Sequence, residues 1–448
     1  MTTKIARTGT TPTNTTKYTW SAWIKRGALG NGETIVYNYQ DGNNRGYIAF
    51  DGNDKMFFYD KTGSEQNNCY ATRLFRDTGA WYHVHVKADS TLASNRFVVH
   101  INGVQEAITG TTIDQNDVLG FKTATGSNQH SIGANADSTA NPFSGAMSHI
   151  HYVDGLALDY TEFGQTDSTT GEWKIKTPNV SDYGNNGYFI LKDGNSVTDQ
   201  SGQGNNWTVQ GGTLTKTEDC PSNVFCTINP LSNKINFSLA NGNTTLNDNG
   251  SDDNDNGIAC TLGVNSGKYY WEMKKGSGTG GVHAVITDDV DIRLGNRATS
   301  SPDSQLWGFQ SNGTGSPLVS YIAGTFNSTG NALQGWGAND IIGFALDMDN
   351  GKLYVSINGV FKGLDNNTSD PANGTNPAIT GIPTGGKFII PYFEKRSADS
   401  PETMCNFGNG YFGTTAVSSA GTNASGIGIF EYDVPTGYTA LSTKGLNE

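Results

Sequence analysis

The sequence predicts an all-β chain of two antiparallel β-sandwiches in tandem. Three observations carry this. Apolar and polar residues alternate with a period of two in many short runs. Asn-Gly and Asp-Gly pairs separate those runs, and no window places apolar residues convincingly at helical spacing.

The alternation opens at Tyr18-Thr19-Trp20-Ser21-Ala22-Trp23-Ile24-Lys25. It continues at Tyr47–Phe50, Lys55–Tyr59, Trp81–Lys87 and Arg96–Ile101. These runs are rich in Val, Ile, Tyr, Phe and Trp, which fit a pleated, half-buried surface. Between them stand Asp41-Gly42, Asp51-Gly52 and Asn102-Gly103, pairs that supply the positive φ angles of tight hairpins. The best short helix is Asp159–Phe163. The second half repeats the texture at Lys268–Lys274, Ile341–Asp349, Lys352–Ile357, Lys387–Phe393 and Thr403–Phe407. Gly187–Leu191 stays with the first module, so the expected domains are 1–230 and 231–448. Both modules contain an Ile-Asn-Gly-Val hairpin, at Ile101–Val104 and Ile357–Val360, which predicts related sandwiches.

Composition narrows the function. Of 448 residues, 35% are hydrophobic and only 16% charged, with 58 glycines filling the gap. Aromatic residues reach 10%, which argues for packed cores rather than disorder. The net charge is -13 and no Lys/Arg cluster occurs, which argues against nucleic acid and anionic membrane surfaces as partners. No stretch approaches the ~20 apolar residues of a membrane span. Met1–Lys17 is Thr-rich without an apolar core, so the chain is expected to be made without a Sec-type export signal. The five cysteines include no C-x-x-C. Cys220 and Cys226 lie close enough to pair across a short loop, but scattered reduced thiols are the expectation.

Candidate site residues follow from residue type and setting. Trp207, Trp307 and Trp336 sit among Gly, Asn and Ser. They are candidate glycan- or protein-contacting rings, or else plugs at the edge of a core. His83 with His85, and His149 with His151, each share a strand face and would make an imidazole metal site if the pairs met. Ordinary strand histidines are the preferred reading. Asp252, Asn254 and Asn256 start a D-x-N-x-N-G calcium loop, but its twelfth position is Gly263 instead of Glu. Weak Ca2+ binding is therefore the one cofactor the sequence admits. The N-x-S/T triplets at Asn206, Asn236 and Asn327 follow from composition. Glu162, Glu172, Glu272 and Glu394 are isolated, without the paired carboxylates a glycosidase needs. The chain is expected to be no enzyme.

Trp81-Tyr82-His83-Val84, then Arg96–Gly103, then Phe143–Gly155 resemble the laminin G/concanavalin A-like, jelly-roll sandwich. Gly267–Glu272, Ile342–Tyr354 and Asn358-Gly359-Val360 resemble a SPRY-type sandwich. The tandem, with Asp199–Val209, Asp219–Asn223, Asn229-Pro230-Leu231 and Val434–Leu441 at its joints, is similar to virion proteins of tailed phages, particularly of marine bacteria and cyanobacteria. That resemblance implies a non-enzymatic capsid decoration, head fibre or tail fibre. Its lectin-like sandwiches would bind other virion proteins or host surface glycans. A homo-oligomer, plausibly a trimer, would assemble in the host cytoplasm and end in the virion. No shaft repeat precedes the first strand, which departs from a tail fibre. A glycan-depolymerising tailspike enzyme and a free extracellular lectin are the alternatives.

Overall fold

The computed structural model describes residues 3–121, 129–232, 237–248, 257–276, 281–289, 305–310, 319–323, 325–327, 333, 335–363, 367–394 and 402–447. The chain divides into one unit of Met1–Lys216 with Cys220–Ser222 and another of Thr217–Asp219 with Asn223–Glu448. The expected boundary at 230/231 falls inside the second unit. Phe225 bridges Ser442, the Cys226 N–H donates to Leu441 O (2.9 Å), and the Ile228 N–H donates to Asn243 O (2.9 Å). Residues 223–228 are thereby tied to the second unit, although a Gly/Asn-rich stretch precedes them.

The first unit is a two-sheet sandwich. One sheet has eight strands, in the order Ile108–Thr111, Glu65–Ala71, Met56–Thr62, Asn44–Phe50, Glu33–Asp41, Gln129–Ile132, Ile5–Thr8 and Thr208–Val209. The other has six: Tyr188–Ile190, Gly145–Asp154, Lys17–Arg26, Trp81–Asp89, Phe97–Ile101 and Val104–Gln105. Trp20, Ile24, Ile48, Phe58, Val84 and Val86 fill the space between the sheets. Each such buried side chain contributes roughly 1.5–3 kcal/mol. The expected helix at 159–163 is a single 3-10 turn, Tyr160–Glu162, capped by the Asp159 carboxylate.

The second unit repeats the plan with a nine-stranded and a six-stranded sheet around Trp271, Phe344, Leu346, Leu353 and Trp336. Among the described residues, no helix is long and apolar enough to cross a membrane.

One five-strand run occurs in both units in the same register. In the first it is Gly145–Asp154, Lys17–Arg26, Trp81–Asp89, Phe97–Ile101 and Val104–Gln105. In the second it is Thr403–Asn406, Lys268–Lys275, Ile341–Asp347, Lys352–Ile357 and Val360–Lys362. The second strand of each begins Lys-Tyr-x-Trp. Its lysine pairs with an aspartate ending the third strand: Lys17–Asp89 at 3.1 Å, Lys268–Asp347 at 3.2 Å. Both runs close on the Asn-Gly hairpin. Asn102 Oδ1 accepts from His83 N (2.7 Å), and Asn358 Oδ1 accepts from Ile341 N (3.0 Å). The turn glycines have φ of 77° and 81°. A Cβ on Gly103 would stand 2.5 Å from Trp173, and one on Gly359 2.6 Å from Tyr432.

Trp173 and Tyr432 belong to straps that cover the outer faces of these two sheets. In the second unit the strap is pinned by Glu272, at the strand position of Ser21 in the first. Its Oε2 accepts from Glu431 N (2.9 Å), and its Oε1 accepts from Tyr432 N (2.9 Å) and Tyr270 Oη (3.1 Å). Burial pushes the Glu272 carboxyl up to about 7. Glu272→Ala is expected to cost about 3 kcal/mol, since it strips the strap of two bonds to a charged acceptor. Faster proteolysis between residues 417 and 433, with a lowered unfolding midpoint, is the readout. Unchanged cleavage would refute the pinning role.

Candidate ligand-binding face

The six-stranded sheet of the first unit offers no open outer face. On it His151, Ser21, His85 and His100 form one straight cross-strand row. The strap from 156 to 183 lies over this row. Tyr160 stacks on His100 at 4.0 Å, Phe163 lies 5.8 Å from His85 and 5.1 Å from His151, and Tyr183 Oη is 3.0 Å from His151 Nδ1. Phe189, from the edge strand Tyr188–Ile190, extends the row and stacks on His151 at 3.9 Å. Beside the row, the His83 ring is hydrogen-bonded at both nitrogens. Nδ1 accepts from Trp173 Nε1 (2.9 Å), so the proton sits on Nε2 and is donated to Ser21 Oγ (2.8 Å). A second proton on the ring would face the Trp173 N–H. Burial holds His83 down at about 3 and His149 at about 4, and holds His85 and His151 well below the usual histidine range.

The metal reading of these pairs is therefore corrected: they are neutral rings in a second, aromatic core layer. Among the described residues no group of three or more His, Cys, Asp or Glu side chains could hold a metal ion. The calcium candidates Asp252, Asn254 and Asn256 lie outside the described residues.

The three tryptophans are core residues as well. Trp207 is 3% exposed, Trp307 2% and Trp336 0%, and such rings cannot stack on a sugar. Their polar flanks are turn chemistry, not exposure. The Asp199 carboxylate accepts from Phe189 N, Ser201 N and Asn205 N, winding residues 199–206 so that Trp207 meets Tyr188 edge-on at 4.8 Å. Trp307 faces the second core from the strand Leu306–Gln310, and Trp336 meets His283 edge-on at 5.7 Å. All five cysteines are free, and Cys226 lies in the second core, so it is not paired with Cys220.

The other sheet of the first unit presents a different outer surface. Its strands alternate, with Ile48, Phe58 and Cys69 turned to the core and the residues between them turned outward. The outward residues form rows across the strands. One row is Tyr37–Tyr47–Tyr59–Asn68, with Phe57–Tyr70 on one side of it and Tyr39–Arg45–Lys61–Gln66 on the other. The rings make a continuous strip. Tyr37 meets Tyr47 edge-on at 4.9 Å, Tyr47 stacks on Tyr59 at 4.7 Å, and Phe57 stacks on Tyr70 at 4.5 Å. The Arg45 guanidinium lies 5.3 Å from the Tyr59 ring centre. Tyr37 and Tyr59 are buried by their neighbours, whereas Tyr39, Tyr47, Phe57 and Tyr70 remain half-buried. Burial pushes the Tyr37 phenol up to about 12 and raises Tyr47 as well, so the strip is neutral at pH 7.

Tandem rings on adjacent strands, held by mutual packing, form a rigid, low-entropy contact surface. This face was not among the sites expected from the sequence. Its signal is the parity of Tyr37 with Tyr39 and of Phe57 with Tyr59, each pair two residues apart and so on one side of its strand.

Residues 2–159 match the laminin G family described as the Concanavalin A-like lectin/glucanases superfamily. The first unit is thus a concanavalin A-like sandwich, a fold compatible with a lectin-like binding role. No curated protein matches the chain. Similar solved structures include the TRIM65 PSpry domain, at 18% identity over 40% of this chain and 91% of that one, with a TM-score of 0.29. The SPRY domain of human HERC1 is 15% identical over 40% and 96%, with a TM-score of 0.29. A native heptameric SAP-like pentraxin from Limulus polyphemus is 16% identical over 35% and 72%, with a TM-score of 0.27.

Proposed function

We propose that this protein is a non-enzymatic binding component of a tailed-phage particle, docking to virion proteins or host surface glycans through its first sandwich. The observation that carries the binding role is the strip of six rings on the outer face of the eight-stranded sheet. Large contiguous aromatic patches on a protein surface mark interaction sites. The particle assignment is supported by the likeness of the joint segments Asp199–Val209, Asp219–Asn223 and Val434–Leu441 to those of phage virion proteins.

The non-enzymatic reading is supported by what the buried acids do. Glu33 and Asp54 hold Arg26, and Glu272 holds backbone, so each is committed to the fold. Incubation with host polysaccharide should release no new reducing ends, and a rise would overturn this part. Mass spectrometry of purified particles should find the chain at stoichiometric amounts. Its recovery only from particle-free medium would favour a free lectin. Tyr47→Ala is expected to weaken binding to host surface or particle at least tenfold, while far-UV circular dichroism stays unchanged. Undiminished binding would remove the aromatic strip from the function.

A further inference from the structure

We infer that the aromatic face of the first unit takes an anionic glycan, with Arg45 and Lys61 reading its carboxylate or sulfate groups. This rests on the proposed binding role of the same face and adds the chemical class of ligand.

Arg45 and Lys61 stand directly opposite each other on neighbouring strands and on the same side of the sheet. Like charges in that position repel and destabilise the pairing. Neither forms an ion pair among the described residues. The Asp41 carboxylate feels the Lys61 charge but makes its hydrogen bonds to Asn43 N (2.7 Å) and Asn44 Nδ2 (3.0 Å). Asp137 lies toward Tyr37. Two adjacent cations that make no ion pair among the described residues are unexpected in a chain of net charge -13, where acids outnumber bases 42 to 29. A local arrangement that costs stability without a compensating contact is typical of a functional site.

Tyr59 holds Arg45 from one side, through the ring contact at 5.3 Å and a long Nη2–Oη hydrogen bond of 3.5 Å. Arg45 Nε is buried without a hydrogen-bond partner, and the guanidinium's neighbours are the neutral phenols of Tyr59 and Tyr37 rather than a carboxylate. A guanidinium steadied on rings and lacking a counter-charge suits the oxygens of an incoming carboxylate or sulfate. Alongside the cations lie the half-buried rings of Tyr39, Tyr47, Phe57 and Tyr70, on strands spaced ~4.8 Å apart. A saccharide chain laid across the strands would pack its apolar ring faces on these four rings, which the buried Tyr37 and Tyr59 support, and turn its acidic substituents toward Arg45 and Lys61. The neutral phenols leave the anion unopposed. Protein docking would use the rings too, but gives no reason for an unpaired cation couple beside them.

The test uses the full chain and three probes: alginate (carboxylated), dextran sulfate (sulfated) and dextran (neutral). Expected is binding to at least one acidic polymer tenfold or more above dextran, weakened several-fold between low and physiological salt because exposed charges are screened. The Arg45→Gln/Lys61→Gln double variant should lose that preference tenfold. Lys174→Gln, a cation of the strap, should keep it, and Tyr47→Ala should lose binding to every probe. Alginate and dextran sulfate separate the carboxylate source from the sulfate source. Equal binding to dextran, or an unchanged double variant that retains its circular dichroism, overturns the anionic class and leaves the lectin-like reading standing. No binding to any probe overturns it together with the glycan arm of that reading.

Discussion

Lowering the pH from 7.5 to 5.5 is expected to melt the first unit well before the second. His83, His85, His130 and His151 are 0–2% exposed and neutral in the folded chain. Burial holds His83 at about 3 and the other three well below the histidine range. In the unfolded chain each takes up a proton near pH 6.5. Below that value the unfolded state binds more protons. The stability that is complete above pH 6.5 is therefore lost as pH falls toward the folded values. At pH 5.5 the loss is about 1.4 kcal/mol per ring, on the order of 5 kcal/mol for the four, against a typical total of ~5–15 kcal/mol.

Glu33 of the same unit, pushed up to about 6 by burial, works in the opposite sense over this range but is one group against four. The second unit has one such ring, His283, held at about 3. Against it stands Glu272, raised to about 7, whose contribution is complete below about 4.5 and lost as pH rises through 7. Calorimetry across pH should resolve two transitions, the acid-sensitive one belonging to the first unit. His85→Gln should reduce the pH slope of that transition by about one proton. A first transition that stays put down to pH 5 would contradict the buried histidine layer.

Arg26→Met is expected to destabilise the first unit by about 3–5 kcal/mol, the usual cost of stranding buried charge. The Arg26 side chain is fully buried. Nη2 donates to Glu33 Oε2 (3.1 Å), and Nη1 donates to Asp54 Oδ1 (3.1 Å) and Phe75 O (2.8 Å), with the guanidinium 4.1 Å from the centre of Phe50. Glu33 also accepts from Ser144 N (2.9 Å), and Asp54 from Gly30 N (2.7 Å) and Arg76 Nε (2.9 Å). One cation thus ties together the chain around residues 30, 54, 75 and 144. Methionine fills the volume but leaves Glu33 without a counter-charge. Arg26→Lys should rescue only part, because an ammonium cannot span two carboxylates as the planar fork does. Urea unfolding measures both variants, and a cost below about 1 kcal/mol for Arg26→Met would contradict the clamp.

Much of this fold was readable from local pattern. The alternation at Tyr18–Lys25 is the strand Lys17–Arg26, and that at Trp81–Lys87 is the strand Trp81–Asp89. The Asn102-Gly103 and Asn358-Gly359 pairs turn where expected. The shared hairpin motif pointed to related sandwiches, and the common register bears that out. Strand and turn propensity act over two to four residues, so a single chain displays them.

Which side of each sheet meets water was decided at longer range. Trp207, Trp307 and Trp336 have loop-like neighbours, yet all lie in cores, because polar turns wind them inward or strands face them there. His83, His85 and His151 share the alternation of any half-exposed strand, but Trp173, Phe163 and Tyr183 of a strap distant in sequence seal them in. Period two tells which residues share a face and leaves open what covers it. Only the folded chain leaves the tyrosine row with Arg45 and Lys61 uncovered by that strap. Its members come from three strands, and cross-strand register alone brings them side by side.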